Sequence, residues 1–437
     1  MGSEQKCAGA SLGVCGSNCD YEQSGEWQVK MLGENIVRQN DSQVNPPRIL
    51  SFDLIIPCES RKTLCFGKER RHMSRVAVKM ENTIPITGVD ELDKHLDELI
   101  ADPTLPPRAK QFDDVTLQLT DANIPPLIPR LLPKITEILK QYQQDPTHLC
   151  ELAIKLLSPL NFTQVMSLAS EDAIIQALRS PAPSANLLAM AVLEKASKSP
   201  GEAAILATLK DIVANFIAQW LSSPQVEVGE KGSKVLGELL DIDCTTRPQD
   251  GVSLNGQEIV VRKPPGQGLM WRRIFHDRDI YSSILSLCSA GPHQNPEDGG
   301  LSSHQITLAQ GRLLRIIPRL GALNLGALTR TEFPDLNRQF AHVESSEGLL
   351  QFTALRMIDN EDLLMHLSLI DFFEALLGIQ RITPFSIYKM DTLKKLLQDA
   401  TMHDDALKAA ILSLPERTVP EEAGDLRTFI GSLLGPQ

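Results

Sequence analysis

Three groups of residues have types and spacings that could do chemistry. Residues 9–13 (GASLG) match the G-x-S-x-G pattern of a serine nucleophile, which works on a tight turn between a strand and a helix. Cys15 and Cys19 have the spacing of half a zinc site, which needs two further ligands. Both lie in a Gly- and Ser-rich terminus that offers neither the flanking elements nor a second cysteine pair. We therefore expect no catalytic serine and no metal site there.

The third group is a dense cluster of charges at residues 270–281 (MWRRIFHDRDIY). On one helix, these residues would surround an aromatic side chain with charged ones, as the rim of a protein interface surrounds its anchor. An ordinary solvated helix face, with the tryptophan in the core, would give the same pattern. The candidate partner-binding residues are Trp271, Arg272, Arg273, His276, Arg278 and Asp279.

Other catalytic patterns are absent from the sequence. The only candidate for a phosphate loop, GKE at residues 67–69, lacks the Ser or Thr that follows the lysine in that motif, and no H-E-x-x-H occurs. Asp359, Glu361 and Asp362 lie at a predicted helix start, where carboxylates offset the helix dipole. We therefore predict a protein that is not an enzyme and takes no cofactor.

Composition indicates the class of fold and of partner. The chain has 437 residues, of which 42% are hydrophobic and only 5% aromatic, which favours packed helices over a β-sandwich. The net charge of −12 argues against direct binding to nucleic acid. Residues 1–85 contain 11 of the 43 Lys and Arg residues and 10 of the 55 Asp and Glu residues. The remaining chain therefore has 32 basic and 45 acidic residues. This acidic excess suggests a basic or mixed-charge protein partner.

The elements that would position these residues are predicted from Ser-Pro dipeptides and apolar periodicity. Serine is a preferred helix N-cap and proline is tolerated at the first helical position, so each dipeptide predicts a helix start. The dipeptides at Ser180 and Ser223 lie 43 residues apart, with another at Ser199, and this matches the period of HEAT and armadillo arrays. A further one at Ser158 extends the pattern upstream. From Glu202 to Leu221 the apolar residues form one broad helical stripe.

We therefore predict an all-α fold, an armadillo/HEAT-like right-handed solenoid of helix pairs, at residues 86–437. Residues 1–85 are rich in Gly, Ser, Asn and Gln, and we expect them to form a low-complexity, poorly ordered segment. A small hairpin on the Asn255-Gly256 turn is expected at residues 252–261. Glycines at positions 229, 232 and 237 would allow close helix approach.

Cysteine usage and hydropathy suggest the compartment. The later cysteines, Cys150, Cys244 and Cys288, lie in apolar helical contexts, which is typical of reduced, buried thiols. We find no secretory signal and no apolar run as long as a membrane span requires. We expect a soluble protein of the cytoplasm, also present in the nucleus, that contacts no membrane.

Three segments together resemble a known family. They are residues 88–99 (GVDELDKHLDEL), residues 226–244 (VEVGEKGSKVLGELLDIDC) and the charge cluster at residues 270–281. They are similar to a fungal family of proteasome base assembly chaperones, whose animal relatives are the non-ATPase regulatory subunit five proteins. The fungal family also carries a name from DNA mismatch repair. The resemblance covers residues 86–437, and no role is carried onto residues 1–85.

The resemblance implies a function and a partner. A solenoid of this family would bind the C-terminal domain of a proteasomal ATPase subunit, hold it in a precursor with other base subunits, and leave before the proteasome matures. The alternatives are a general helical scaffold or adaptor, and a nuclear factor linked to mismatch repair. A nuclear transport adaptor is disfavoured because only three tryptophans occur, whereas such adaptors carry Trp and Asn ladders.

Overall fold

A computed structural model of the chain describes residues 86–245, 265–289, 300–343 and 345–435. Within these ranges there are nineteen helices and no strand, and one isolated antiparallel bridge joins Arg330 to Glu347. The all-α prediction is therefore confirmed for the described residues. The expected low-complexity segment at 1–85, the expected hairpin at 252–261 and the GASLG, GKE and Cys15/Cys19 motifs lie outside them.

The helices follow one another with short connections. They are α1 (Val89–Ala101), α2 (Ala109–Thr116), α3 (Ile128–Gln141), α4 (Thr147–Leu157), α5 (Phe162–Met166), α6 (Glu171–Arg179), α7 (Pro183–Ala196), α8 (Pro200–Thr208), α9 (Lys210–Ser222), α10 (Val226–Ile242), α11 (Leu269–Phe275), α12 (Arg278–Cys288), α13 (Ser303–Thr329), α14 (Pro334–Ala341), α15 (Leu349–Leu355), α16 (Leu363–Ile382), α17 (Ile387–Thr401), α18 (Asp405–Arg417) and α19 (Pro420–Leu434).

The helices pack in rows, each on its counterpart further along the chain. One row runs α4, α7, α10, α13, α16, and every member contacts the next. A second row runs α6, α9, α12, and α8 packs on α11 beside it. Because each helix leans mainly on near neighbours, the arrangement is consistent with an all-α solenoid. The predicted period is present between α7 and α10, which begin at Pro183 and Val226, 43 residues apart.

Three helices, not two, fill this period. The stripe from Glu202 to Leu221, predicted as one helix, is divided at Leu209 into α8 and α9, which meet at 94°. Leu209 has non-helical dihedrals (φ −86°, ψ 73°). The bend frees carbonyl groups at the end of α8, and the Arg273 side chain binds one of them, that of Ala207. Because the apolar periodicity continues across Leu209, the sequence pattern could not indicate the bend.

The Ser-Pro dipeptides start helices less often than predicted. Ser199 caps α8 through a bond from the Glu202 amide, with Pro200 at the first helical position, as expected. The other three dipeptides do not begin helices. Their serines, Ser158, Ser180 and Ser223, are the C-cap residues of α4, α6 and α9. A proline after a serine ends one helix as readily as it begins the next, because it cannot donate the amide bond that continues a helix.

Glycines in α10 allow a close approach, as predicted. A Cβ added at Gly229 would lie 2.1 Å from Nε of Arg312, and one at Gly232 would lie 2.5 Å from the Trp220 ring. Arg312 can therefore reach past α10 and donate to the carbonyls of Trp220, Leu221 and Gln225. A cation of one helix thus binds the free carbonyls at the end of another. Lys195 does the same for Ser158 and Leu160 after α4.

Two further expectations can be compared with the helices. Cys150, Cys244 and Cys288 are buried, as predicted. The expectation that no stretch could span a membrane needs correction, because α16 has 20 residues and a mean hydropathy of 1.5. This helix packs on α13, α18 and α19 and buries one face, including Phe372, Phe373 and Leu377. Core helices can have the same length and hydropathy, so these two properties alone are weak evidence for a membrane span.

Candidate functional site

The charge cluster predicted as one helix occupies two short ones. α11 ends at Phe275, and the Asp277 side chain then accepts from the Asp279 and Ile280 amides as the N-cap of α12. The predicted helix at residues 270–281 is therefore interrupted, because an aspartate that accepts from the amides two and three residues further on favours a new helix start over continuation. The charges project from a corner between two helices instead of from one helix face.

Asp243 holds the start of this corner in place, and no sequence pattern indicated this role. Its buried carboxylate accepts from the amides of Gln267 (3.0 Å) and Met270 (2.6 Å), while its carbonyl accepts from Gly268. A carboxylate at this place satisfies free amides of the first turn of α11 and offsets the helix dipole. The contacts span 24 to 28 residues, which no local motif records.

Trp271 lies beneath the charged surface. It is 4% exposed, stacks on Phe275 with ring centroids 5.3 Å apart, and donates its indole N–H to the Leu240 carbonyl at 2.9 Å. The aromatic ring is therefore part of the core between α10 and α11. The charged residues of the cluster lie on the surface above it.

Arg273 is half-buried and links α11 to α8 and to the N-cap of α12 by hydrogen bonds. Its Nε donates to the Ala207 carbonyl of α8 at 2.8 Å, and its guanidinium also donates to Asp277 at 2.7 Å. Lys210 of α9 lies 3.3 Å from the same Asp277 carboxylate. Burial alone would raise the pKa of Asp277, but the bonds from Lys210 and Arg273 outweigh it and lower that pKa. Asp277 is therefore the centre of a small ionic network.

The three remaining charged candidates that have partners lie at the surface. Asp279 pairs with Lys210 at 2.6 Å, and the Nδ1 atom of His276 lies 3.0 Å from the Glu332 carboxylate. Arg278 forms a two-bond pair with Asp335 and lies over the Phe333 ring, 5.7 Å from its centroid. These pairs link α12 to α9 and to the segment that contains α14.

Arg272 differs from the other cluster residues. It is exposed, and its side chain makes no ion pair with another residue of the described ranges. We use the name α11–α12 patch for the surface formed by seven side chains: Arg272, His276, Arg278, Asp279, Lys210, Glu332 and Asp335. The last three were not predicted, because they lie far from residues 270–281 in the sequence.

The patch presents charges of both signs at the surface. They lie in exposed pairs whose partners can be exchanged for those of another protein. No cluster of three or more His, Cys, Asp or Glu that could hold a metal ion is present among the described residues. The carboxylates at the start of α16 have the structural role expected: Asp362 caps the helix by accepting from the Leu364 and Met365 amides.

Comparison with known proteins identifies one family. Residues 93–218, which run from α1 into α9, match the family described as "DNA mismatch repair protein HSM3, N terminal domain". The resemblance found in the sequence is thereby confirmed over that segment. A search of the curated proteins gave no match. The matched segment contains Lys210 of the patch and ends before α11.

Proposed function

From the presence of the HSM3 N-terminal domain at residues 93–218, we propose that this chain is a non-enzymatic chaperone for assembly of the proteasome base. It binds the C-terminal domain of one ATPase subunit through its rows of helices, contacts other base subunits, and leaves before the 26S proteasome is complete. The family match carries this proposal, since at family level it supports a proteasome base assembly chaperone.

Physical features of the helical array support a binding role. Stacked helices present a long surface that can follow another folded domain. The α11–α12 patch adds exposed charges of both signs, which suit an interface that must form selectively and later come apart. We propose Arg272, His276, Arg278 and Asp279 of the patch as contacts, together with the neighbouring Arg273. Trp271 belongs to the same site by holding α11 in place from the core.

We propose that the protein is located in the cytoplasm and also in the nucleus. We propose that its function requires no cofactor and no contact with a membrane or with nucleic acid. The acidic balance of residues 86–437 supports exclusion of nucleic acid, because duplex phosphates repel such a surface.

A second candidate function is a nuclear scaffold linked to mismatch repair. It is favoured by one observation, the words of the matched family's description. Such a scaffold would reach DNA only through another protein.

The proposal is tested by purifying the tagged full chain from its host at low salt and identifying the proteins that co-elute. We expect proteasomal ATPase subunits without the mature core particle. Mismatch-repair proteins without proteasome subunits would instead support the scaffold function.

One substitution separates binding by the patch from folding. Arg272→Glu reverses an exposed charge that has no ion pair to lose within the described residues, so capture of the ATPase subunit should fall by about five-fold or more, as expected for one or two lost rim pairs. Arg427→Glu, at an exposed position of α19, is the matched control and should leave capture unchanged. If both variants capture the subunit like the unmodified chain, Arg272 does not belong to the interface.

A further inference from the structure

A groove of about 590 Å³ lies where α4, α7 and α10 begin. Its walls come from the connection before α4, the first turns of α4 and α7, and the first turn of α10. These helices are consecutive members of one row, and 83 residues separate the first lining residue, Gln144, from the last, Glu227. This volume is typical of a site for a small ligand or for two or three side chains of a peptide.

The charged residues that line the groove are all acidic. They are Asp145, Glu151 and Glu227, and no Lys or Arg lines it. One oxygen of Asp145 accepts from the amide and hydroxyl of Thr147, and the other makes no bond within the described residues. Glu151 has only His148, 3.9 Å away, and Glu227 has no ion pair with a described residue. The groove therefore lacks the cations that neutralise carboxylates elsewhere in this row.

Glu194 of α7 gives the contrast. It pairs with both Lys231 and Lys234 of α10, within 2.8 Å. The helix starts at the groove do not replace such lysines, since each helix N-terminus carries only about half a positive charge. Three carboxylates against three helix starts leave a negative potential in the groove.

Most of the remaining lining residues are apolar. Ile154 of α4 and Leu187 of α7 are among them, together with Pro183 at the start of α7. The Ser184 hydroxyl is shielded from solvent there and has no hydrogen-bond partner among the described residues. Aliphatic walls below carboxylates fit the side chains of Lys and Arg, whose stems are apolar and whose ends are cationic.

We propose that this groove docks an extended segment of a partner protein in which a Lys or Arg adjoins an aliphatic residue. The aliphatic residue packs against Ile154 and Leu187, and the cation binds between Glu151 and Glu227. The site belongs to α4, α7 and α10, apart from the α11–α12 patch, so it does not rest on the function proposed above.

The test measures binding of three labelled octapeptides to the full chain by fluorescence anisotropy. The peptides are GSLKPLKG, GSLQPLQG and GSLEPLEG, which differ only in charge. We expect the Lys peptide to bind about five-fold more tightly than the Gln peptide, as two exposed ion pairs would give, and the Glu peptide to bind most weakly. The preference should disappear at about 500 mM salt, where exposed charges are screened.

Two charge-matched variants assign the effect to the groove. Glu151→Lys with Glu227→Lys should remove the preference for the Lys peptide. Glu416→Lys with Glu421→Lys makes the same change in net charge on α18 and α19, with Glu421 at the same helical position as Glu227, and should retain the preference. Equal binding of the three peptides, or an equal loss of preference in both double variants, would overturn the proposal.

Discussion

In the α11–α12 patch, nearly every charged side chain is paired with a residue of another helix, whereas no Lys or Arg lines the groove at α4, α7 and α10. The five charged candidates predicted from the sequence are neighbours along the chain, and four of them bond a residue of a distant segment. In the groove, Asp145 and Glu151 lie six residues apart and Glu227 follows 76 residues later, and none of the three pairs with a Lys or Arg of the described residues. Density of charge along the chain is therefore a poor guide to charge that is free to bind a partner.

The largest loss of stability is expected for substitution of Trp271, which is buried beneath the patch. Trp271→Ala should lower the free energy of unfolding by about 3–5 kcal/mol, because it removes a buried ring and leaves the Leu240 carbonyl without its donor. Urea unfolding followed by circular dichroism measures this change. Arg272→Ala, one residue away and exposed, should stay within about 0.5 kcal/mol. Similar losses for the two variants would contradict the assignment of Trp271 to the core.

A smaller loss is expected where a charge joins helices. Arg273→Met keeps most of the aliphatic stem but leaves the Ala207 carbonyl without its side-chain donor and removes one of the donors to Asp277, so we expect a loss of about 1–3 kcal/mol. Hydrogen exchange should rise in the last turn of α8 before it rises elsewhere. Arg273→Lys should recover part of the stability. An unchanged exchange pattern in α8 would show that this bond does not hold the bend.

The ionic network also predicts a dependence of stability on pH. The pKa of Asp277 is lowered in the folded chain, so its contribution is complete above its unfolded pKa and is lost as pH falls through its folded pKa. Asp277→Asn, which can still cap α12, should remove that part of the acid dependence. The check is a series of urea unfolding curves from neutral pH to about pH 3. Parallel pH profiles for the two proteins would exclude a role for this carboxylate.

The smallest effect is expected in the groove. Glu151→Gln with Glu227→Gln should change the free energy of unfolding by no more than about 1 kcal/mol, since neither carboxylate pairs with Lys or Arg. Thermal unfolding of the double variant measures it. A loss as large as that of Arg273→Met would mean that these carboxylates stabilise the fold, and the contrast between the two regions would fail.

The positions of most helices could be predicted from the sequence. For example, apolar residues at helical spacing in residues 90–100 and 185–197 place α1 and α7 to within two residues at each end. Helix α14 was missed, because its eight residues are too few to show a period. The break at Leu209 was missed for another reason: the apolar stripe continues through it, and the Arg273 bond that satisfies the bend comes from 66 residues away.

The sequence alone thus determined that this chain is helical and where its apolar stripes lie, because burial of one helix face is a local property of the chain. The 43-residue period holds between α7 and α10. Only the tertiary structure decided which charges are paired. Lys210 reaches Asp279 across 69 residues and Arg278 reaches Asp335 across 57, while Asp145, Glu151 and Glu227 meet without a lysine or arginine. Such pairings depend on which helices become neighbours, and periodicity carries no record of that.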